Sequence, residues 1–174
     1  MDQIILTGFM GAGKSSVGQI VASKLAFQFI DMDDYVHELA GQSISVMLSN
    51  GRLDLVRAFE AQAVNVLKKE KSVVISTGAG VMASEANARA FSETAFIVYI
   101  QRDFDTVYPI ISNDPVRIIA YHKSYEYLRN LYKQRKPIYI EYADAIVENN
   151  ESVDMCAESV NKAYPMDKNG ASSL

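Results

Sequence analysis

Gly8-Phe9-Met10-Gly11-Ala12-Gly13-Lys14-Ser15 matches the pattern G-x-x-x-x-G-K-[ST]. Glycines at these spacings let successive backbone N–H groups turn inward on a phosphate. A helix starting near Lys14 adds the positive end of its dipole to the same anion. Lys14 has the reach to touch the outer phosphates of a nucleotide, and the Ser15 hydroxyl suits Mg²⁺. Gly8, Gly11, Ala12, Gly13, Lys14, Ser15 and Ser16 are the expected nucleotide-binding set. A Gly-rich turn of this pattern also arises by chance, but here a strand precedes it and an amphipathic helix follows.

Other residues suited to chemistry are Asp31 and Asp33, and the turn Thr77-Gly78-Ala79-Gly80. To act together they must be carried to one place. The apolar run Gln3 to Thr7 reads as a strand, and Val17, Ile20, Val21 and Leu25 recur at helical spacing after the loop. Phe29 to Asp31 is a second short strand. Asp34 to about Leu67 reads as helical, punctuated by Gly41 and Gly51. Ser72 to Ser76 and Ala95 to Ile100 are buried strands of β-branched and apolar residues. Helices are expected over Ala83 to Phe91, over Asp103 to Ile111 with an interruption at Pro109, and over Glu126 to Arg135, ending before Pro137. Ser112 to Lys123 reads as a loop, Ala145 to Val147 as a last strand and Ser152 to Ala163 as a last helix. Alternating apolar strands and helices predict an α/β fold, a parallel sheet covered on both faces. Ligands of such sheets bind at the carboxyl ends of the strands. Residues 8–15, 31–33 and 77–80 all fall just past strand ends.

The chain has 174 residues, a formal net charge of −4 and a single cysteine, Cys156. That length predicts one domain with a substantial core, over 1–166, followed by a polar tail over 167–174. An acidic balance argues against a nonspecific nucleic-acid binder. One cysteine forms no internal disulfide, and Cys156 lies in an apolar helical pattern that suggests packing. His37 and His122 have no nearby Cys or His and read as surface residues rather than metal ligands. With no apolar run of membrane-spanning length, a cytoplasmic protein without membrane partners is expected.

Counting the phosphate loop, five segments occur in the order known from one family. They are the loop itself; Phe29-Ile30-Asp31-Met32-Asp33 followed by Gly41-Gln42-Ser43-Ile44; Arg57-Ala58-Phe59-Glu60; Val74-Ile75-Ser76-Thr77-Gly78-Ala79-Gly80; and Arg135-Lys136-Pro137-Ile138-Tyr139 with Tyr142-Ala143-Asp144. Over about 4–147 the chain resembles shikimate kinase, a family that transfers the ATP γ-phosphate to the 3-hydroxyl of shikimate. The resemblance implies a single-domain P-loop kinase fold with a five-stranded parallel sheet and a mobile lid over about 112–123. It implies ATP and Mg²⁺ as cofactors, a small-molecule substrate, and action as a monomer. Lys14 and Ser15 would serve phosphate and metal, with Asp31 beside the metal. Asp33 would bind substrate hydroxyls and take the proton of the attacking one. Arg57 and Arg135 would bind the substrate carboxylate, and the Gly78, Ala79 and Gly80 backbone the ring hydroxyls. The chemistry asks for these types: a polyol acid needs a carboxylate for its hydroxyls and guanidinium forks for its own carboxylate. Plainer roles also fit: Asp33 and Asp34 as first-turn helix acids, Arg57 with Glu60 as an i,i+3 pair, and Arg135 as a helix-end cation.

Three departures from the family pattern set questions for the structure. Ala79 replaces the middle residue of a triple glycine, which adds a Cβ and narrows φ. The segment before Arg57 is one residue longer than usual, with Arg52 at a position where an acid is common. One extra residue turns a helix face by about 100°, so a local bulge is expected. The family's lid carries an Arg-Pro pair whose arginine contacts the transferring phosphate; Asn113-Asp114-Pro115-Val116-Arg117 puts Asp114 in that slot. Arg117 is then the catalytic lid candidate with Lys123 second, and Lys14 and Asp33 are the other catalytic residues. Alternatives are a same-fold kinase for a related polyol or amino-substituted substrate, a nucleotide kinase, and a nucleotide-binding relative without activity.

Overall fold

A computed structural model describes residues 2–165; the expected tail over 167–174 lies outside them. The elements run β1 (Gln3–Thr7), α1 (Lys14–Leu25), β2 (Gln28–Asp31), α2 (Met32–Ala40), α3 (Ile44–Ser49), α4 (Leu53–Leu67), β3 (Val73–Ser76), α5 (Glu85–Ser92), β4 (Phe96–Gln101), α6 (Phe104–Ser112), α7 (Tyr125–Glu141), β5 (Ala145–Glu148) and α8 (Val153–Ala163). The strands form one sheet in the order β2-β3-β1-β4-β5. Every pairing is parallel, with Ile5 opposite Ile75 and Ile97.

Alternate strand residues go to opposite faces, and both faces are apolar. Ile5, Val73, Ile75, Ile97 and Tyr99 enter a core with Met32, Val36, Val64, Phe91, Leu128 and Tyr139. Ile4, Leu6, Val74, Val98 and Ile100 pack on Val17 and Val21 of α1 and Cys156 and Val160 of α8. This double burial explains the continuous apolar runs of β1, β3 and β4. Cys156 is buried there, and burial pushes its thiol up to about 11, as suits a packed thiol. No helix among the described residues is long and apolar enough to cross a membrane.

The expected helical stretch after β2 is three helices, broken where Gly41 and Gly51 take φ of 66° and 71°. Before Arg57, the α3–α4 turn is closed by Arg52 N–H donating to the Met47 carbonyl at 2.9 Å. Helix α4 then runs unbroken from Leu53 to Leu67, without the expected bulge. Two proline expectations also need correction. Helix α6 continues through Pro109, and α7 continues past Pro137 to Glu141. An interior proline loses one hydrogen bond and crowds the preceding turn. In α7 the extra turn carries Tyr139, which is 1% exposed and packs on Tyr99 with ring centroids 5.5 Å apart. Burying an aromatic ring contributes roughly 1.5–3 kcal/mol, enough to offset the missing bond.

Candidate active site

Parallel pairing brings the carboxyl ends of all five strands to one edge, and each delivers a polar residue there. A cleft of about 540 Å³ opens along this edge, a size typical of small-molecule sites. Residues 8–15 follow β1, Asp31 ends β2, residues 77–80 follow β3, Arg102 follows β4 and Asn149 follows β5.

The phosphate loop is held from within. Buried Lys14 donates from Nζ to the Gly8 and Phe9 carbonyls, both at 3.0 Å. Ala12 N–H donates to the Phe9 carbonyl at 3.2 Å, and Val17 N–H to Gly13 at 2.9 Å. Phe9 is anchored by Tyr132 of α7, edge-on at 5.2 Å, and by Phe104 at 6.3 Å. Tyr132 thus supports the loop, and Tyr125 packs on Phe104 and Tyr108. Burial lowers Lys14 to about 8, with Asp33 opposing that shift and Arg117 reinforcing it.

Beside the loop, Ser15 Oγ donates to Asp31 Oδ2 at 2.5 Å and lies 3.1 Å from Ser76 Oγ. The other Asp31 oxygen accepts the Asp33 N–H at 3.0 Å and so caps α2. Asp33 and Asp34 occupy the first turn of α2. The helix-acid role and the site role therefore coincide at Asp33. Solvent reaches Asp33 through the open cleft, yet the surrounding walls strip much of its hydration. That desolvation, aided by the Asp31 charge, raises Asp33 to about 6.

The turn after β3 gathers the remaining candidates. A Cβ at Gly78 would overlap Asp33 Oδ1, and one at Gly80 would overlap the Arg57 guanidinium. Close approach, not turn conformation, favours glycine at these two positions, since a Cβ would push the Asp33 carboxylate or the Arg57 guanidinium aside. Ala79 lies between them, with no positive φ. Its carbonyl accepts Tyr139 OH at 2.5 Å and Arg135 at 3.3 Å. The middle residue thus holds a φ that alanine adopts, and the turn is anchored through its carbonyl. Arg57 pairs with Glu60 at 2.5 Å. This is more than the solvated pair its spacing suggests, since Glu60 is 3% exposed. Burial raises Glu60, with Arg57 opposing. One edge of the Arg57 fork is thereby fixed. Asp33, Arg57 and Arg135, distant in sequence, meet around one turn.

Residues 113–123 form the loop expected as a lid. Asp114 Oδ1 accepts the Val116 N–H at 3.0 Å, and Oδ2 lies 2.9 Å from Arg117 Nε. Their contact is ionic rather than an aligned hydrogen bond. Asp114 therefore answers Arg117 rather than standing alone against an anion. Both residues line the cleft. Lys123 lies instead over the Tyr127 ring at 5.8 Å and is exposed. Across the cleft, Ser45 Oγ donates to the Val116 carbonyl at 2.9 Å, joining lid and α3. His37 lines the exposed cleft wall, closer to the site than its reading as a plain surface residue implied. No group of three or more metal-binding side chains of His, Cys, Asp or Glu occurs among the described residues.

Two residues of this edge escaped sequence reading. Arg102 lines the cleft and donates to the Gly11 carbonyl at 3.2 Å; buried Asn149 donates to the Ala12 carbonyl at 2.8 Å. The available signal was positional, since each stands directly after a strand.

Comparison with known proteins agrees with this geometry. The family model for shikimate kinase matches residues 10–164. A shikimate kinase of Caldanaerobacter subterraneus is 32% identical over 166 residues, covering 94% of this chain and 96% of that protein. Shikimate kinase from Acinetobacter baumannii, solved in complex with shikimate, superposes with a TM-score of 0.87 at 26% identity, over 93% of this chain and 92% of that one. The Aquifex aeolicus enzyme gives 0.83 at 26% identity over 92% and 95%. Likeness on this scale, in sequence and fold alike, makes the chain a member of the shikimate kinase family and an ATP-dependent kinase.

Proposed function

We propose that the chain transfers the γ-phosphate of ATP to the 3-hydroxyl of shikimate, with each step carried by the residues just placed. The observation that carries this reading is the convergence of Asp33, Arg57 and Arg135 on the Gly78–Gly80 turn beside the phosphate loop. Arg57 and Arg135 take the substrate carboxylate in guanidinium forks. Asp33 accepts the proton of the attacking hydroxyl, and backbone groups of residues 78–80 meet the other hydroxyls. The N–H groups of residues 11–15, with Lys14, hold the phosphates. Arg117 reaches from the lid to the transferring group, where an arginine is worth roughly 10³–10⁵ in rate. Phosphoryl transfer is mostly positioning and charge stabilisation, and these residues supply both.

Mg²⁺ fits the oxygen donors of Ser15 and Asp31, which are already in contact and are the hard ligands it prefers. Bound there, it would neutralise phosphate charge. Gly8, Gly11, Ala12, Gly13 and Ser16 complete the nucleotide set. One chain builds the whole cleft, which suits action as a monomer.

Arg57→Ala tests the carboxylate assignment. It should raise the shikimate KM by about tenfold or more, the scale of one lost charge-assisted bond, with the ATP KM nearly unchanged. Equal rises in both constants would remove the assignment.

A further inference from the structure

The phosphate loop needs its N–H groups facing the ligand, yet nothing within a glycine-rich segment fixes which way each peptide faces. In a trans peptide the C=O and the following N–H point in opposite directions, and no cis peptide occurs among the described residues. Holding a carbonyl on the outside therefore aims the next N–H inward. The Gly8 and Phe9 carbonyls are taken by Lys14, on the phosphate side, so this rule does not apply to them. The Gly11 and Ala12 carbonyls, in the second half of the loop, are held by side chains that follow β4 and β5. Asn149 Nδ2 reaches the Ala12 carbonyl at 2.8 Å, and one peptide earlier Arg102 reaches Gly11.

Asn149 is itself firmly placed. It is 4% exposed, and its own N–H donates to the Gln101 carbonyl at 2.8 Å. The neighbouring Asn150 Oδ1 accepts the Asp103 N–H at 3.0 Å, tying the ends of β4 and β5 together. A Cβ on Gly13 would overlap Asn149 Nδ2, so the amide and the bare glycine are packed against each other.

We propose that Asn149 is a positioning residue for phosphoryl transfer: by taking the Ala12 carbonyl it turns the Gly13 N–H toward the nucleotide phosphates, with Arg102 supporting it at Gly11. Asn149 touches no reacting atom, and its effect is transmitted wholly through the Ala12–Gly13 peptide. This inference rests on the nucleotide reading of the loop. ADP binding by the unmodified chain checks that reading separately.

The experiment compares Asn149→Leu, Asn149→Asp and Asn149→Thr in steady-state kinetics, with ADP binding by calorimetry and thermal melting alongside. Leu and Asp remove the donor at nearly constant size, one neutral and one charged. Both should raise the ATP KM and the ADP Kd by about tenfold, the scale of one buried hydrogen bond, while the shikimate KM stays within about twofold. Thr keeps a donor and should recover part of the loss. A melting shift alone, or parallel changes in both substrate constants, would overturn the proposal. So would Leu binding ADP as tightly as the unmodified chain. Should the Leu variant fail to fold, the Asp variant carries the same comparison, and Arg102→Ala should weaken ADP in the same direction. If the unmodified chain bound no ADP, the nucleotide reading would fall rather than the role of Asn149.

Discussion

The Asp33 carboxyl and the Lys14 ammonium are shifted from their ordinary pKa values in opposite directions, and both shifts bear on rate. Asp33, raised to about 6 by desolvation and by Asp31, must be ionised to accept a hydroxyl proton. Lys14, lowered to about 8 by burial, must be charged to hold phosphate. In the free enzyme the working window thus lies between these values. Below it, kcat/KM for shikimate should fall roughly tenfold per pH unit as Asp33 gains its proton. Above it, kcat/KM for ATP should fall as Lys14 loses its proton. Asp33→Asn should lower kcat by about 10²–10⁴ and abolish the acid limb; an acid limb that survives in this variant would move the base elsewhere. Asp114 poses a question of sign. If it holds Arg117 in place, Asp114→Asn keeps the turn at Val116 but loosens the arginine. On that account kcat drops roughly tenfold or more, a fraction of what a full arginine contributes. Were Asp114 only an acid opposing ATP, the same variant would bind ATP more tightly and turn over no more slowly.

Among the elements, the β3–α5 turn makes the sharpest demand. A Cβ on Gly80 would push the Arg57 guanidinium from its present place, so Gly80→Ala should raise the shikimate KM by about tenfold or more, through displacement of the fork. The melting temperature should change little, because the turn lies at the cleft rather than in either core. An unchanged shikimate KM would show that Arg57 does not need its present place. How far such elements were legible in the sequence follows from what sets them. Strands β1, β3 and β4 are buried on both faces, and that burial writes itself as unbroken apolar runs. Gly41 and Gly51 mark helix ends because the local backbone needs them. The full length of α7 was hidden, since what outweighs Pro137 is the fit of Tyr139 against Tyr99, a contact across 40 residues of sequence. Arg102 and Asn149 were hidden for a related reason: they recognise backbone carbonyls, and a carbonyl bond leaves no residue type to match. Asp33, Arg57 and Arg135 were legible only through ordered family segments, and the parallel sheet explains why those segments converge.

Across the whole molecule, the net charge of −4 is not the balance found at the cleft. Lys14, Arg57, Arg102, Arg117 and Arg135 all line it. Asp31, Asp33, Asp34, Asp114 and Glu60 line it too, and Glu60 and Asp114 pair with Arg57 and Arg117. Low-dielectric walls strengthen each of these charges, so two anionic ligands would meet placed cations rather than the acidic average of the chain. The Ser45–Val116 bond ties the loop over residues 113–123 to α3 across this cleft. Acting as the proposed lid, that loop would exclude water and favour transfer over hydrolysis. The most direct test of the whole arrangement is ADP release measured with Mg²⁺-ATP in the presence and absence of shikimate. The account predicts shikimate-dependent turnover above about 1 s⁻¹, within the usual kinase range, and little ADP release without it. ADP release that shikimate leaves unchanged, or none in either case, would contradict the account.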